Sequence, residues 1–198
     1  CLSHKAVHHN FSPAPRHEGE FAGVEIKPFP TTKGTPLDKL KPMWARNQRN
    51  SWHGAEFPFH NTLGKSEDIY RRYCETLLSV DESTQRLIDC LRESGQLDST
   101  VIIYMGDNGH LWGEHNLIDK RTAYEPSIRV PLLMHCPDVF SGGRVVSEIA
   151  ANIGIAPTVL EAAGLKDIGR FHGRSLLPLA RGDKLTDWRT DLIYEYFW

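Results

Sequence analysis

The 198-residue sequence has no excess of charge of either sign. Lys and Arg total 23, Asp and Glu 25, for a formal net charge of −2. The cations are scattered rather than gathered, which argues against the basic face of a nucleic-acid binder. No run of about 18 apolar residues occurs, so no membrane-spanning helix is written into the chain. The first residues lack the basic-then-apolar layout of an export leader. Cysteine is sparse, at four residues, and none stands in a Cys-x-x-Cys pair, which argues against a zinc ribbon. Cys74 and Cys90 fall within one expected helix, ~24 Å apart at ~1.5 Å per residue. A disulfide needs Cα atoms within ~7 Å, so these two cannot bridge. Repeats and disorder-prone composition are absent too, and the length suits one ordinary domain with a real core.

What is present alternates between helix and buried strand. "CLSHKAVH" reads as the end of a strand running into a polar loop, and Asp191 to Trp198 as a last strand. An apolar, aromatic run at one end and a strand end at the other lead us to expect a piece of a longer chain. Residues 9 to 65 are rich in proline, lysine, histidine and glycine. Irregular stretches of that length are usually functional. Ser66 is a good helix N-cap, with Glu67 and Asp68 in the first turn where the helix dipole favours acids. Ile69, Tyr73, Leu77, Val80, Leu87 and Leu91 recur at helical spacing, and Gly95 closes the helix. "STVIIYM" and "RVPLLMHCP" predict two buried strands, and a further helix is expected around Pro157 to Ala163, stopped by Gly164. This order predicts an α/β domain with a mainly parallel sheet, whose ligands sit beyond the carboxyl ends of the strands.

The first of those strands ends in Gly106-Asp107-Asn108-Gly109. A carboxylate and an amide oxygen are hard ligands, suited to Ca²⁺ or Mg²⁺. Asp-Asn-Gly is also ordinary turn chemistry, so both readings stay open on these residues alone. Lys120 and Arg121 follow a dozen residues later, and a lysine beside a cation suggests an anion bridging the two. His110 and His115 lie between. A second cluster, "SHKAVHHNF", sets His4, Lys5, His8 and His9 together, either as a solvated basic loop or as a proton donor with an anion contact.

Taken in order, "LSHKAVH", "YCETLLSVDESTQRLIDCL", "VIIYMGDNGHLWGEHNLIDKRTAYEPSIRVPLLMHCP" and "IAPTVLEAAGL" resemble the sulfatases of the alkaline-phosphatase superfamily. The resemblance covers nearly the whole chain. It implies an alkaline-phosphatase-like α/β sandwich and hydrolysis of sulfate esters of carbohydrates. It implies that Asp107 and Asn108 form half of a calcium site and that Lys120 holds a sulfate oxygen. His8 would contact the sulfate and protonate the leaving alcohol, while Lys5, His110 and His115 would meet the substrate. Trp44, Trp52 and His53 are candidates either for stacking on sugar rings or for packing against the domain. Three departures stand out. The family's "VHxP" string reads "VHHNF" here, which lets His9 compete with His8. Gly154 replaces a frequent aspartate and is expected to alter only local capping. No Cys or Ser is followed by x-Pro-x-Arg, the string whose first residue becomes formylglycine, and the family's Asp-Asp metal pair is missing. Residues 1–198 are therefore expected to be part of a catalytic domain lacking both its nucleophile half and its C-terminal subdomain. Without those parts the chain alone is expected to be inactive. The partner implied is a sulfated small molecule or glycan, and family habit implies the periplasm or the cell exterior. Two other readings compete: a phosphate or phosphonate monoester hydrolase of the same superfamily, and a non-catalytic fragment.

Overall fold

A strong amphipathic pattern with acids at its start makes the longest element, helix α1, Ser66–Glu93. The computed structural model describes residues 1–8, 10–27, 39–43, 66–112, 114–165 and 169–195. These divide into two compact units: Cys1–Cys90 with Asn108–Arg129, and Leu91–Asp107 with Val130–Trp198.

In the first unit the buried face of α1 runs through Ile69, Thr76 and Val80. Leu77, expected on that stripe, is exposed, because eight residues turn it ~80° from Ile69 at ~100° per residue. Leu87 shares the azimuth of Ile69 but is also exposed. Residues 1 to 8 form a turn rather than a strand, with the His8 N–H donating to the Lys5 carbonyl at 2.9 Å. His4 of this segment engages α1 and not a ladder, and the chain that follows to residue 24 continues along the same helix. His4 Nε2 lies 2.9 Å from Ser83 Oγ, Arg16 and His17 pair with Glu82, and Arg71 donates to the Val24 carbonyl. The buried Glu75 carboxylate accepts the Gly19 N–H at 3.0 Å. Loop positions rise as helix positions fall, so residues 4 to 24 run antiparallel to α1.

The second unit contains strands β1, Ile102–Met105, and β4, Leu132–His135, paired antiparallel with Ile102 opposite His135 and Met105 opposite Leu132. The first unit holds a short antiparallel hairpin, β2, Leu111–Trp112, and β3, Ile118–Asp119. Parallel neighbours were expected. Both described pairs are antiparallel because the segment between β1 and β4 contains a hairpin and a single helical turn, α2, Glu125–Ile128, and no crossover helix. Asp191 to Glu195 form no strand, and Ile193 is exposed.

The second unit also packs α3, Ile155–Ala162, against α4, Leu177–Arg181. Thr158, wholly buried, donates to the Gly154 carbonyl at 2.6 Å and accepts the Leu176 N–H at 2.8 Å. A Cβ on Gly154 would stand 2.7 Å from the Arg174 carbonyl oxygen. Glycine there is thus a packing requirement, which corrects the expectation of a capping effect alone.

Cys74 and Cys90 sit on the same helix as free thiols, in line with the geometry that forbids their pairing. Among the described residues, no helix is long and apolar enough to cross a membrane.

Candidate functional site

The β2–β3 hairpin organises most of the expected site. Its register sets Leu111 opposite Asp119 and Trp112 opposite Ile118. Continuing that register by one residue leads to His110 on one side and Lys120 on the other. Regular pairing stops short of both, so the hairpin carries them at its base. Asn108 lies two residues before His110, exposed at the entry to the hairpin.

Ser127, only 2% exposed, joins the two sides of this arrangement. Its carbonyl accepts the Gly109 N–H at 2.8 Å, and its hydroxyl donates to the Lys120 carbonyl. The approach of chain segments here is so close that a Cβ on Gly109 would lie 2.0 Å from the Pro126 carbonyl oxygen. The second glycine of the Gly-Asp-Asn-Gly string is therefore required by contact. Asn108 Nδ2 donates to the Gly109 carbonyl at 2.8 Å.

The turn of the hairpin is held by Glu114, a buried carboxylate that accepts the Trp112 N–H at 2.6 Å. His115 adopts φ 55°, in the left-handed region. Its ring stacks on Tyr124 with centroids 4.0 Å apart and planes 18° apart. The Lys41 ammonium lies 4.6 Å from the centroid of the same ring. His115 thus belongs to a cation–aromatic stack at the hairpin's far turn, and is separated along the hairpin from His110 and Lys120.

Trp112 is the anchor of an aromatic cluster. Phe11, Tyr70, Tyr73 and His110 surround it, with ring centroids 5.4, 5.1, 4.9 and 4.5 Å from its own. Phe11 is buried and held at φ 39°, a conformation that packing must stabilise. It fastens the turn carrying Lys5 and His8 to the same cluster that supports the hairpin. Lys5 and His8 themselves are exposed. Burial pushes the Tyr70 phenol above its ordinary pKa, with Cys74 and Glu114 adding to the effect. Burial likewise raises the Cys74 thiol, against an opposing hydrogen bond from Tyr70.

The structure therefore brings Asn108, His110 and Lys120 onto one hairpin and ties the His8 turn to it through Phe11. Asp107, exposed, is the last residue of the first segment of the other unit. Trp44, Trp52, His53 and His9 lie outside the described residues. Among the described residues, no group of three or more His, Cys, Asp or Glu side chains could by itself hold a metal ion. A carboxylate and an amide oxygen, as at Asp107 and Asn108, have the hardness that calcium and magnesium take in general. Ser127 and Glu114 were not anticipated from sequence. Ser127 lies within "YEPSIRVPLL", which reads as a lead-in to a strand, and Glu114 within an unremarkable "WGEH".

Residues 113–198 match the family model described as N-sulphoglucosamine sulphohydrolase, C-terminal. The human N-acetylglucosamine-6-sulfatase (Homo sapiens) is 33% identical over 195 residues, covering 96% of this chain and 33% of that protein. A solved structure of a protein in complex with its substrate D-glucosamine-2-N,6-O-disulfate is similar with a TM-score of 0.76 at 27% identity, over 96% of this chain and 50% of that one. The phosphonate monoester hydrolase from Silicibacter pomeroyi is similar with a TM-score of 0.67 at 26% identity, over 77% of this chain and 31% of that one. Extracellular sulfatases are also among the relatives. The chain spans about a quarter to a third of the length of the curated relatives it matches.

Proposed function

Because this chain belongs to the sulfatase family of the alkaline-phosphatase superfamily, we propose that its protein hydrolyses sulfate esters of carbohydrates and that these 198 residues supply the sulfate-holding half of the site. Within this reading the chain is part of a catalytic domain whose nucleophile half and C-terminal subdomain lie outside it. The observation that carries the proposal is the bracket at Ser127, which ties the backbone beside Asn108 to the backbone of Lys120.

Asp107 and Asn108 would hold a calcium ion, or magnesium in its place. When bound, that ion supplies positive charge against the sulfate oxygens. The chain's own contribution is Lys120. Its ammonium neutralises a sulfate oxygen, and opposite charges ~4 Å apart are worth ~4 kcal/mol at an effective dielectric near ~20. Such stabilisation is most useful where charge develops on the way to the transition state. His8, in the turn anchored by Phe11, donates a proton to the departing sugar oxygen, a role worth ~10²- to 10⁴-fold. Lys5, His110 and His115 line the approach of the sugar. A formylglycine, expected in the half of the catalytic domain outside these residues, would supply the covalent chemistry.

The relatives support a substrate class. Both the human relative and the substrate-bound structure act on a sulfated glucosamine. We therefore infer a glucosamine-type 6-sulfate, and a periplasmic or secreted location. The test is the full-length protein with Lys120→Ala, assayed for sulfate release from N-acetylglucosamine 6-sulfate and, in parallel, for hydrolysis of a phosphonate monoester. We expect a loss of ~10²-fold or more on the sulfate ester. Turnover equal to wild type would remove Lys120 from the mechanism, and a preference for the phosphonate would replace the sulfate reading.

A further inference from the structure

The geometry points to Ser127 as a positioning residue that holds Lys120 in place beside the Asn108–Gly109 segment. The inference rests on the reading of Lys120 as the sulfate-binding cation. Ser127 is 2% exposed, so it does not itself meet a substrate. Each of its polar groups is engaged. The N–H donates to the Tyr124 carbonyl at 2.8 Å, the carbonyl accepts from Gly109 at 2.8 Å, and the hydroxyl donates to the Lys120 carbonyl.

The two partners that matter are backbone groups one step from the proposed site. Gly109 directly follows Asn108. Lys120 directly follows β3, at the point where regular pairing stops and residues 120 to 124 continue as an irregular loop. Among the described residues regular pairing stops at Asp119, and the Lys120 carbonyl accepts the serine hydroxyl just beyond it. At the base of the bracket Gly109 and Pro126 approach too closely for any Cβ. Ser127 also sits in the one-turn helix α2, closed by the Arg129 N–H on the Glu125 carbonyl at 2.8 Å. A small hydroxyl-bearing residue satisfies all of this; alanine keeps both main-chain bonds and deletes only the link to Lys120.

The experiment compares four forms of the full-length protein: wild type, Ser127→Ala, Lys120→Ala and the double variant. Each is measured for kcat and KM on the sulfate ester, for the inhibition constant of inorganic sulfate, and for Tm. Positioning predicts that S127A lowers kcat/KM about 10- to 100-fold, the range expected when a binding group shifts by about an ångström. The inhibition constant of sulfate should weaken by a similar factor. The double variant should be no worse than K120A alone, since both changes act through one ammonium. Ser127→Thr, which retains the hydroxyl, should stay within about threefold of wild type, whatever the Tm of S127A. Three results would overturn the proposal and leave the sulfate reading standing: S127A as active as wild type beside an impaired K120A, losses that multiply in the double variant, or a threonine variant as poor as the alanine. K120A with wild-type turnover would instead sink the reading itself, and the positioning role with it.

Discussion

Replacing Gly109 with alanine asks how tightly the hairpin entry is held. The added Cβ would lie 2.0 Å from the Pro126 carbonyl oxygen, 2.9 Å from the Pro126 carbonyl carbon and 3.2 Å from that of Ser127. All three are main-chain atoms, so no side-chain rotation relieves the overlap. Either the 109 segment or α2 must move by about an ångström or more to reach ordinary contact at ~3.5 Å. That movement breaks the Gly109–Ser127 bond of 2.8 Å, a net loss of ~1 kcal/mol. Overpacking adds ~1 to 3 kcal/mol. The total is ~2 to 4 kcal/mol, read as a shift in the urea midpoint with unchanged slope, followed by tryptophan fluorescence of the full-length protein. Gly23→Ala is the control, because a Cβ there meets nothing within 4 Å and its φ is not positive. It should leave stability within ~0.5 kcal/mol. If G109A and G23A unfold at the same midpoint, the claim that close approach dictates glycine at 109 is wrong.

Other outcomes follow from the same packing. Thr158→Val keeps the shape but strands the buried Leu176 N–H and should cost ~1 to 3 kcal/mol by denaturant melt, whereas a neutral result would show that the hydroxyl is not the link between α3 and α4. Trp112→Ala removes the centre of the aromatic cluster and should cost ~3 to 5 kcal/mol, a loss too small to register if the rings were merely adjacent. Burial raises the Cys74 thiol, so at pH 8 it should react with iodoacetamide more slowly than a free cysteine, as followed by mass spectrometry. The Arg16 hydrogen bond holds the Glu82 carboxyl below its ordinary pKa. A depressed folded-state pKa contributes stability above the unfolded value and loses it as pH falls through the folded one. The stability difference between wild type and Glu82→Gln should therefore be greatest near neutrality and vanish in acid; a constant difference across pH would refute the role of the ion pair.

Local pattern carried a good deal of this. The helix over Ser66–Glu93 follows from spacing and from the acids of its first turn, and the strands at Ile102–Met105 and Leu132–His135 from apolar runs bounded by Asp, Gly and Pro, but the expected burial does not hold: β1 is half-buried and Leu133 of β4 is exposed. The strand expected at residues 1 to 8 fails because short apolar stretches do not say whether a ladder partner exists. His4, Arg16 and His17 engage the flank of α1 instead. Parallel pairing fails for a related reason. Alternation of helix and strand does not reveal that the chain between β1 and β4 folds into a hairpin.

By itself, the sequence determined the residue chemistry. Hard oxygen donors stand at Asp107 and Asn108, a lysine follows a dozen residues on, and histidines lie between and before them, in an order that marks the family. Side-chain type and order are one-dimensional properties, so they are readable without coordinates. Only tertiary structure decided who stands beside whom. Register set His110 and Lys120 at the base of one hairpin, Phe11 docked the His8 turn on Trp112, and Ser127 tied Lys120 to Gly109, its hydroxyl donating to the Lys120 carbonyl and its own carbonyl accepting the Gly109 N–H. Those relations depend on backbone hydrogen bonds and on contacts between distant segments, and such bonds are made by groups that every residue carries alike.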